Sequence, residues 1–367
     1  MEKNNFITSY GFFSTIVVTV VGIGIFSYPR EMATLVGGDV WIVTIASGLI
    51  NLLLLKLVIK AIKLNGYRRI TEIIRRNFGT VFGAIVMTLM ILPNIASFSL
   101  GMRAFVEVVK MYLLEKTPTE FLILVTILVG MYLVRGGIRS NVKFNEIALW
   151  IMFLPMLAII LFAAGESNFT NILPVLRNEP GNYLKAIIGA MFSFGGLEIT
   201  YLISPLLKNK ERAFKTLTVS MSFIIAFYVI LSVLCIAMFT TAEIKNLLWP
   251  TIAMVRTIEI PGSFVERWDG VVMALWVMFY FTTFANNFTF SSYLLSDAVA
   301  LKDIKLSSLV IAPVIYLVAM IPTNISELYM AISYITPVNL GINLLILPFI
   351  LIITSRRSIL VKKEGVE

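Results

Sequence analysis

The sequence contains no histidine, and its 367 residues include a single cysteine, Cys235. Without imidazole there is no histidine metal site, no histidine general base and no Ser-His-Asp triad. One thiol allows neither an intrachain disulfide nor a cysteine metal cluster. Charge is scarce as well. Asp, Glu, Lys and Arg make up 14% of the chain, against about a quarter in an average soluble domain. Acids are the scarcer sign, 21 against 30 Lys and Arg, for a formal charge of +9. A nucleic-acid partner would need those cations gathered on one folded face, yet long uncharged runs keep them apart. No set of residues suited to catalysis or to a cofactor remains, so neither an enzyme nor a metalloprotein is expected.

What the chain has is apolar length. Hydrophobic residues make up 58% and the mean hydropathy is +0.90, which points to an all-α polytopic membrane protein forming a single membrane domain over 1–367. A membrane helix needs about 20 mostly apolar residues. Uncharged runs of that order lie at 4–29, 77–102, 147–165, 216–242, 270–296, 306–326 and 328–355. Three more segments bring the expected spans to ten. Segment 40–62 carries Lys56 and Lys60 where they can snorkel to the interface. Segment 121–134 is short but extended by Pro118-Thr119, and 186–207 is uncharged except for Glu198. The first run is long and lacks a small-residue cleavage site, so it is expected to stay as span 1.

Two connections promise structure of their own. Tyr67–Asn77 mixes Ile70, Ile73 and Ile74 with arginines at helical spacing, as an amphipathic helix on the membrane interface does. Ala242–Arg267, broken by Pro250 and Pro261, should cap the opposite side. Lys and Arg collect on the cytoplasmic side of membrane proteins. With ten spans and the N-terminus inside, 21 of the 30 basic residues fall in inside segments, so both termini are expected inside.

Glycines interrupt two of the spans. Span 1 holds Gly22 and Gly24, followed by Ile25 and Phe26. Span 6 holds Phe194, Gly195, Gly196 and Glu198. These are the first spans of two five-helix halves, about 6–165 and 183–355, with a short tail at 356–367. Interruptions at matching places in two halves mark a midplane site in the LeuT-type inverted repeat. Close helix packing is the other use of such glycines. If the backbone unwinds, amides at the starts of the second half-helices suit a carboxylate, and carbonyls at the ends of the first suit an ammonium. A zwitterionic amino acid matches both. Glu198, the one acid well inside a span, fits a functional role or the capping of its own half-helix.

Polar stripes face the same region. Tyr280, Thr283, Phe284, Asn287 and Ser291 share one helical face in span 8, and Asn94, Ser97 and Gly101 another in span 3. Interhelical hydrogen bonding explains most such residues, with Ser97, Thr283 and Asn287 the expected exceptions. Ile25, Phe26 and Phe194 would make the side-chain end of the pocket apolar.

Several segments resemble the B subunits of bacterial spore germinant receptors, the spore germination permease branch of the amino acid–polyamine–organocation superfamily. They are Gly22-Ile23-Gly24-Ile25-Phe26 with Tyr28-Pro29-Arg30, Leu113-Leu114-Glu115-Lys116-Thr117-Pro118 and Phe194-Gly195-Gly196-Leu197-Glu198. Leu247-Leu248-Trp249-Pro250-Thr251-Ile252, Phe264-Val265-Glu266-Arg267 and Phe281-Thr282-Thr283-Phe284 complete the set. The Trp-Pro-Thr and Leu-Leu-Glu-Lys-Thr-Pro segments are the specific ones. The resemblance implies a lipid-embedded inner spore-membrane subunit that senses a nutrient, often an amino acid, beside an A subunit and a C lipoprotein. It implies ligand contacts at Gly22, Gly24, Ser97, Gly195, Gly196, Thr283 and Asn287. An ion-coupled amino-acid transporter is the alternative. The lysine such proton-coupled relatives are expected to carry in span 5 is missing from 147–165, while span-1 carbonyls with Thr282 or Thr283 can offer sodium a place. A passive water or ion path has no specific filter in the sequence. A reporter fused after the last residue should score as cytoplasmic; an extracytoplasmic score overturns the orientation.

Overall fold

The computed structural model describes residues 6–22, 24–257, 268–301 and 303–364, and for 268–275 and 356–364 only the backbone. Ile23, Lys302 and the Phe264–Arg267 segment, with the end of the expected cap, lie outside the described residues. The chain is nearly all helical. Its helices are α1 Ser9–Val20, α2 Gly24–Val36, α3 Val40–Leu64, α4 Ile70–Tyr112, α5 Thr119–Arg135, α6 Gly137–Glu166 and α7 Pro180–Phe192. They continue with α8 Thr200–Ile203, α9 Ala213–Ile244, α10 Pro250–Thr257, α11 Trp268–Ala298, α12 Ile304–Met320, α13 Ile325–Leu340 and α14 Leu347–Glu364. A π-helical stretch, Gly341–Ile346, joins the last two.

Every segment expected to span maps onto helix. By length and apolarity alone, five helical stretches among the described residues can cross a membrane, and six if the bent α7 and Leu197–Leu206 pair counts as one. The expected ten includes spans outside that count, and α2 with α3 enters it as one stretch, Gly24–Leu64. α1 ends early at a break, and α5 and α12 have 17 residues each. α11 buries Thr282, Asn286, Asn287, Thr289, Ser291 and Ser292 along its middle, and its first turns fall outside the residues whose side chains are described. The chain is a multi-pass membrane protein.

The helices pack in two groups. α2, α3, α7 and α9 contact one another with α1, while α4, α5, α11 and α12 form a second set. α1 is wedged between α6, α9 and α11. Contacts also sort the connections into two ends. At the basic end Lys63 pairs with Glu211 at 2.8 Å and Lys143 with Glu146 at 2.5 Å. α4 begins there as the expected amphipathic helix, its Ile70, Ile73 and Ile74 buried, and it breaks at Gly79, where φ is +76°.

Each end carries a tie between the two interrupted spans. At the basic end Ile7 N–H donates to Leu206 O at 2.8 Å and Lys208 N–H to Ile7 O at 3.0 Å. At the opposite end buried Asp39 accepts from Leu176 N–H (2.9 Å), Asn178 Nδ2 (3.2 Å) and Tyr183 Oη, binding the close of α2 to the start of α7.

The second half of span 1 runs to Val36, past the expected limit of 29, with Pro29 inside it. A proline within a helix has no N–H for the carbonyl four residues back. Here that carbonyl is Ile25 O, and Thr251 Oγ1 from cap helix α10 donates to it at 2.8 Å. Trp249 beside it donates to Tyr329 Oη of α13 at 3.1 Å, so the Trp-Pro-Thr segment is wired into both α2 and α13. Thr251→Val should destabilise the protein by about 1–3 kcal/mol by stranding a buried carbonyl. Pro29→Ala should restore much of that loss in the double variant, because it returns the backbone donor. Equal losses with and without Pro29, read from thermal unfolding, would contradict this pairing.

Candidate functional site

The first interruption follows α1. Val21 leaves helical geometry at ψ +79°, and Ile25 N–H reaches back to Gly22 O at 3.4 Å. The last carbonyls of a helix have no partner within it, and α11 supplies them. Thr282 Oγ1 donates to Val18 O and Thr283 Oγ1 to Thr19 O, each at 2.8 Å. Two consecutive hydroxyls thus meet two consecutive carbonyls. The carbonyl end that the sequence offers to an ammonium or to sodium already accepts from these two threonines.

The second interruption follows α7. Gly196 sits at φ +95°, a left-handed conformation that favours glycine. The chain then turns into a Leu197–Ile199 3-10 helix and α8, bending the span by 51°. Freed carbonyls are again met from neighbours: Asn51 Nδ2 donates to Met191 O at 3.3 Å and Tyr228 Oη to Ser193 O at 3.2 Å.

The four glycines divide into two pairs. A Cβ on Gly22 would lie 2.5 Å from Thr283 Oγ1, and one on Gly196 2.7 Å from Thr19 Cγ2. These two bring α11 and the second break against the end of α1. Among the described residues, Gly24 has nothing within 4 Å of such a Cβ, and Gly195 meets only Phe192 O at 3.5 Å. Free space at the breaks is therefore found beside Gly24 and Gly195.

The other expected residues separate. Phe26 stacks on Trp276 with ring centroids 4.7 Å apart, and Phe194 on Tyr228 at 5.4 Å. Both are buried, as is Ile25. Asn287 donates to Thr283 O at 2.9 Å and leaves its Oδ1 without a partner among the described residues. Ser97 is half-buried in α4. Phe284 stands apart: it packs on Phe98 at 5.7 Å and against Gly130 of α5, in the α4–α5 interface. Thr283 and Phe284 are neighbours about 100° apart around the helix, and α11 is buried on both faces. The stripe on α4 divides too, since Gly101 lies under the Tyr280 ring and Asn94 turns to Glu198.

Glu198 is 1% exposed. Its Oε1 accepts from Asn94 Nδ2 of α4 and Asn339 Nδ2 of α13, both at 3.0 Å, while Oε2 has no partner among the described residues. Asn343 Nδ2, in the π-helical stretch, donates to Asn339 Oδ1 at 2.8 Å. The carboxylate thus joins three elements. Among the described residues no three His, Cys, Asp or Glu side chains gather to hold a metal.

The helix breaks are thus set among side chains of α3, α4, α9, α11 and α13, and the chain can be compared with known proteins on that basis. The family described as "Spore germination protein" matches residues 6–328. The chain belongs to this spore germination protein family. Spore germination protein A2 of Bacillus subtilis (strain 168) is 26% identical over 352 residues, 95% of this chain and 96% of the relative. Spore germination protein GerLB of Bacillus cereus is 24% identical over 88% of this chain and 87% of its own length. Among solved structures, MHP1, a nucleobase-cation-symport-1 family transporter in a closed conformation, superposes with a TM-score of 0.71 at 14% identity. That match covers 96% of this chain and 80% of the transporter. The fold of this family member is the LeuT type expected from its two interrupted spans.

Several residues around the breaks went unread in the sequence. Thr19 Oγ1 accepts from Asn286 Nδ2 at 2.7 Å, and Asn286 Oδ1 accepts from Asn141 and Asn145 of α6 at 2.9 Å each. With Asn339 and Asn343 these form carboxamide pairs one helical turn apart in or beside apolar runs, and that spacing was the available signal. The glycine geometry separates two substitutions. Gly22→Ala should cost about 1–3 kcal/mol by overpacking and be partly relieved by Thr283→Ala, whereas Gly24→Ala should leave thermal stability within about 0.5 kcal/mol. Equal losses at both positions would remove the distinction.

Proposed function

We propose that this chain is the nutrient-sensing membrane subunit of a spore germinant receptor, binding an amino acid between its two helix breaks. The observation that carries the reading is the pair of open glycines, Gly24 and Gly195, each beginning or preceding a half-helix whose amide end faces the break, with no described atom nearer than 3.5 Å to a Cβ placed there. A carboxylate suits those amides. The unpartnered Asn287 Oδ1 and Glu198 Oε2 are acceptors available to an ammonium. Phe26 and Phe194 supply apolar surface for a side chain. The names of the relatives support a role in germination, and a ligand that prefers one arrangement of the two helix groups would bias what partner subunits read. Those partners are an A subunit and a C lipoprotein, the site is the inner spore membrane, and both termini face the spore core.

An ion-coupled amino-acid transporter is the second reading, favoured by the likeness in fold to a cation symporter. Against a lysine-coupled form, Lys143 of α6 lies at the solvent edge, paired with Glu146.

Thermal unfolding of the purified subunit across a panel of amino acids tests the proposal. A selective ligand at about 100 times its Kd stabilises by about 2.7 kcal/mol. Gly195→Leu should abolish that shift at an unchanged ligand-free melting temperature. A Gly195→Leu protein that responds like the parent sinks the site. Gradient-driven uptake by the isolated subunit in vesicles replaces the receptor reading with the transporter.

A further inference from the structure

A cavity of about 480 Å³ opens at the basic end, away from the helix breaks. It lies between the Leu197–Leu206 half-helix, the close of α11 and the start of α4. Its buried floor is apolar and includes Phe290 and Leu294, with half-buried Leu202 beside them. Its exposed rim carries Arg68 and Arg69. Neither guanidinium makes an ion pair or hydrogen bond with another described residue.

Three further observations give the rim its character. α4 starts here without a side-chain cap, so its first amides and the positive end of its dipole meet the same rim. The nearby acid Asp297 is already engaged, accepting from Thr71 Oγ1 at 2.6 Å while its backbone carbonyl takes Arg75. The lining carries Arg68 and Arg69 against Glu72 and Asp297, and the Arg75 guanidinium on the Asp297 carbonyl, with Arg76 on the same short segment, tips the balance beside it. The rim is therefore net positive and the floor is oily. Ile70, Ile73 and Ile74 bury the apolar face of this first part of α4 against the bundle, and such a helix lies at headgroup depth. Basic pockets between helices at that depth hold anionic headgroups.

We propose that this cavity seats an anionic phospholipid. Its phosphate lies against Arg68, Arg69 and the first amides of α4, and part of an acyl chain lies on Leu202, Phe290 and Leu294. A soluble phosphate would use the rim and leave the floor bare, and this favours the lipid.

The test compares melting temperatures of the full chain in phosphatidylcholine bilayers and in the same bilayers with phosphatidylglycerol added. The expected result is a rise with phosphatidylglycerol. Arg68→Gln/Arg69→Gln should lose most of the rise with its phosphatidylcholine value unchanged. Leu202→Trp, which fills the floor and alters no charge, should lose it too. Arg212→Gln/Lys215→Gln, at the same end but outside the cavity, should keep it. Retention of the full rise by the arginine variant overturns the proposal, as does equal loss in the Arg212/Lys215 control. A matching rise from glycerol phosphate or inorganic phosphate would assign the rim to a soluble anion. A rise from an acidic peptide in phosphatidylcholine alone would assign it to a protein partner.

Discussion

Breaking a helix inside hydrocarbon frees carbonyls on one side of the break and amides on the other, and no water is there to take them. Each unpaired group costs several kcal/mol. Around both interruptions the neighbouring helices are arranged by that demand. Thr282 and Thr283 meet the carbonyls of Val18 and Thr19, Asn51 and Tyr228 meet those of Met191 and Ser193, and Thr251 meets the one that Pro29 leaves open at Ile25. These contacts all satisfy carbonyls. On the amide side of the second break the Glu198 carboxylate lies against the backbone of Gly196 and Glu198.

The two ends of the bundle treat the half-helices in mirrored fashion. At the basic end the entry to α1 is tied to the close of the Leu197–Leu206 half-helix by two backbone hydrogen bonds through Ile7. At the opposite end the close of α2 is tied to the start of α7 through Asp39. An inverted repeat relates these pairs, since each tie joins the half-helices that lie on one side of the breaks. The four half-helices are therefore joined as two linked pairs, with the departures from helical geometry at Val21 and Gly196 lying between the ties.

The sequence made the fold legible because glycine pairs, an isolated acid and long uncharged runs are departures from the surrounding composition. Gly22, Gly24, Gly195 and Gly196 could be found without coordinates, and so could the amphipathic start of α4. Which glycines are filled by neighbours and which stay open could not, since that depends on Thr283 and Thr19 arriving from elsewhere in the chain. Phe284 was grouped with Thr283 because periodicity finds one face, whereas α11 is buried on two. A helix apolar or polar all round defeats a single-stripe reading. Asn145, Asn286 and Asn339 look like ordinary interhelical polar residues until their partners are known. The Trp249-Pro250-Thr251 cap was legible as a motif, but its tie to Pro29 needed the geometry.

Glu198 had two roles open to it in the sequence, and its contacts bear on the choice. A carboxylate capping its own half-helix would spend its oxygens on the amides beside it. The Glu198 carboxylate does lie against the backbone of Gly196 and Glu198, and its Oε1 in addition gathers Asn94 from α4 and Asn339 from α13, while Asn343 extends the chain into the π-helical stretch between α13 and α14. π-turns are frequent where a helix has a function to serve. Replacing the carboxylate by a group unable to accept would strand two buried amide donors at once, a loss far larger than that of one hydrogen bond. Glu198 therefore holds the second break in register with helices of both the α4 group and the C-terminal pair.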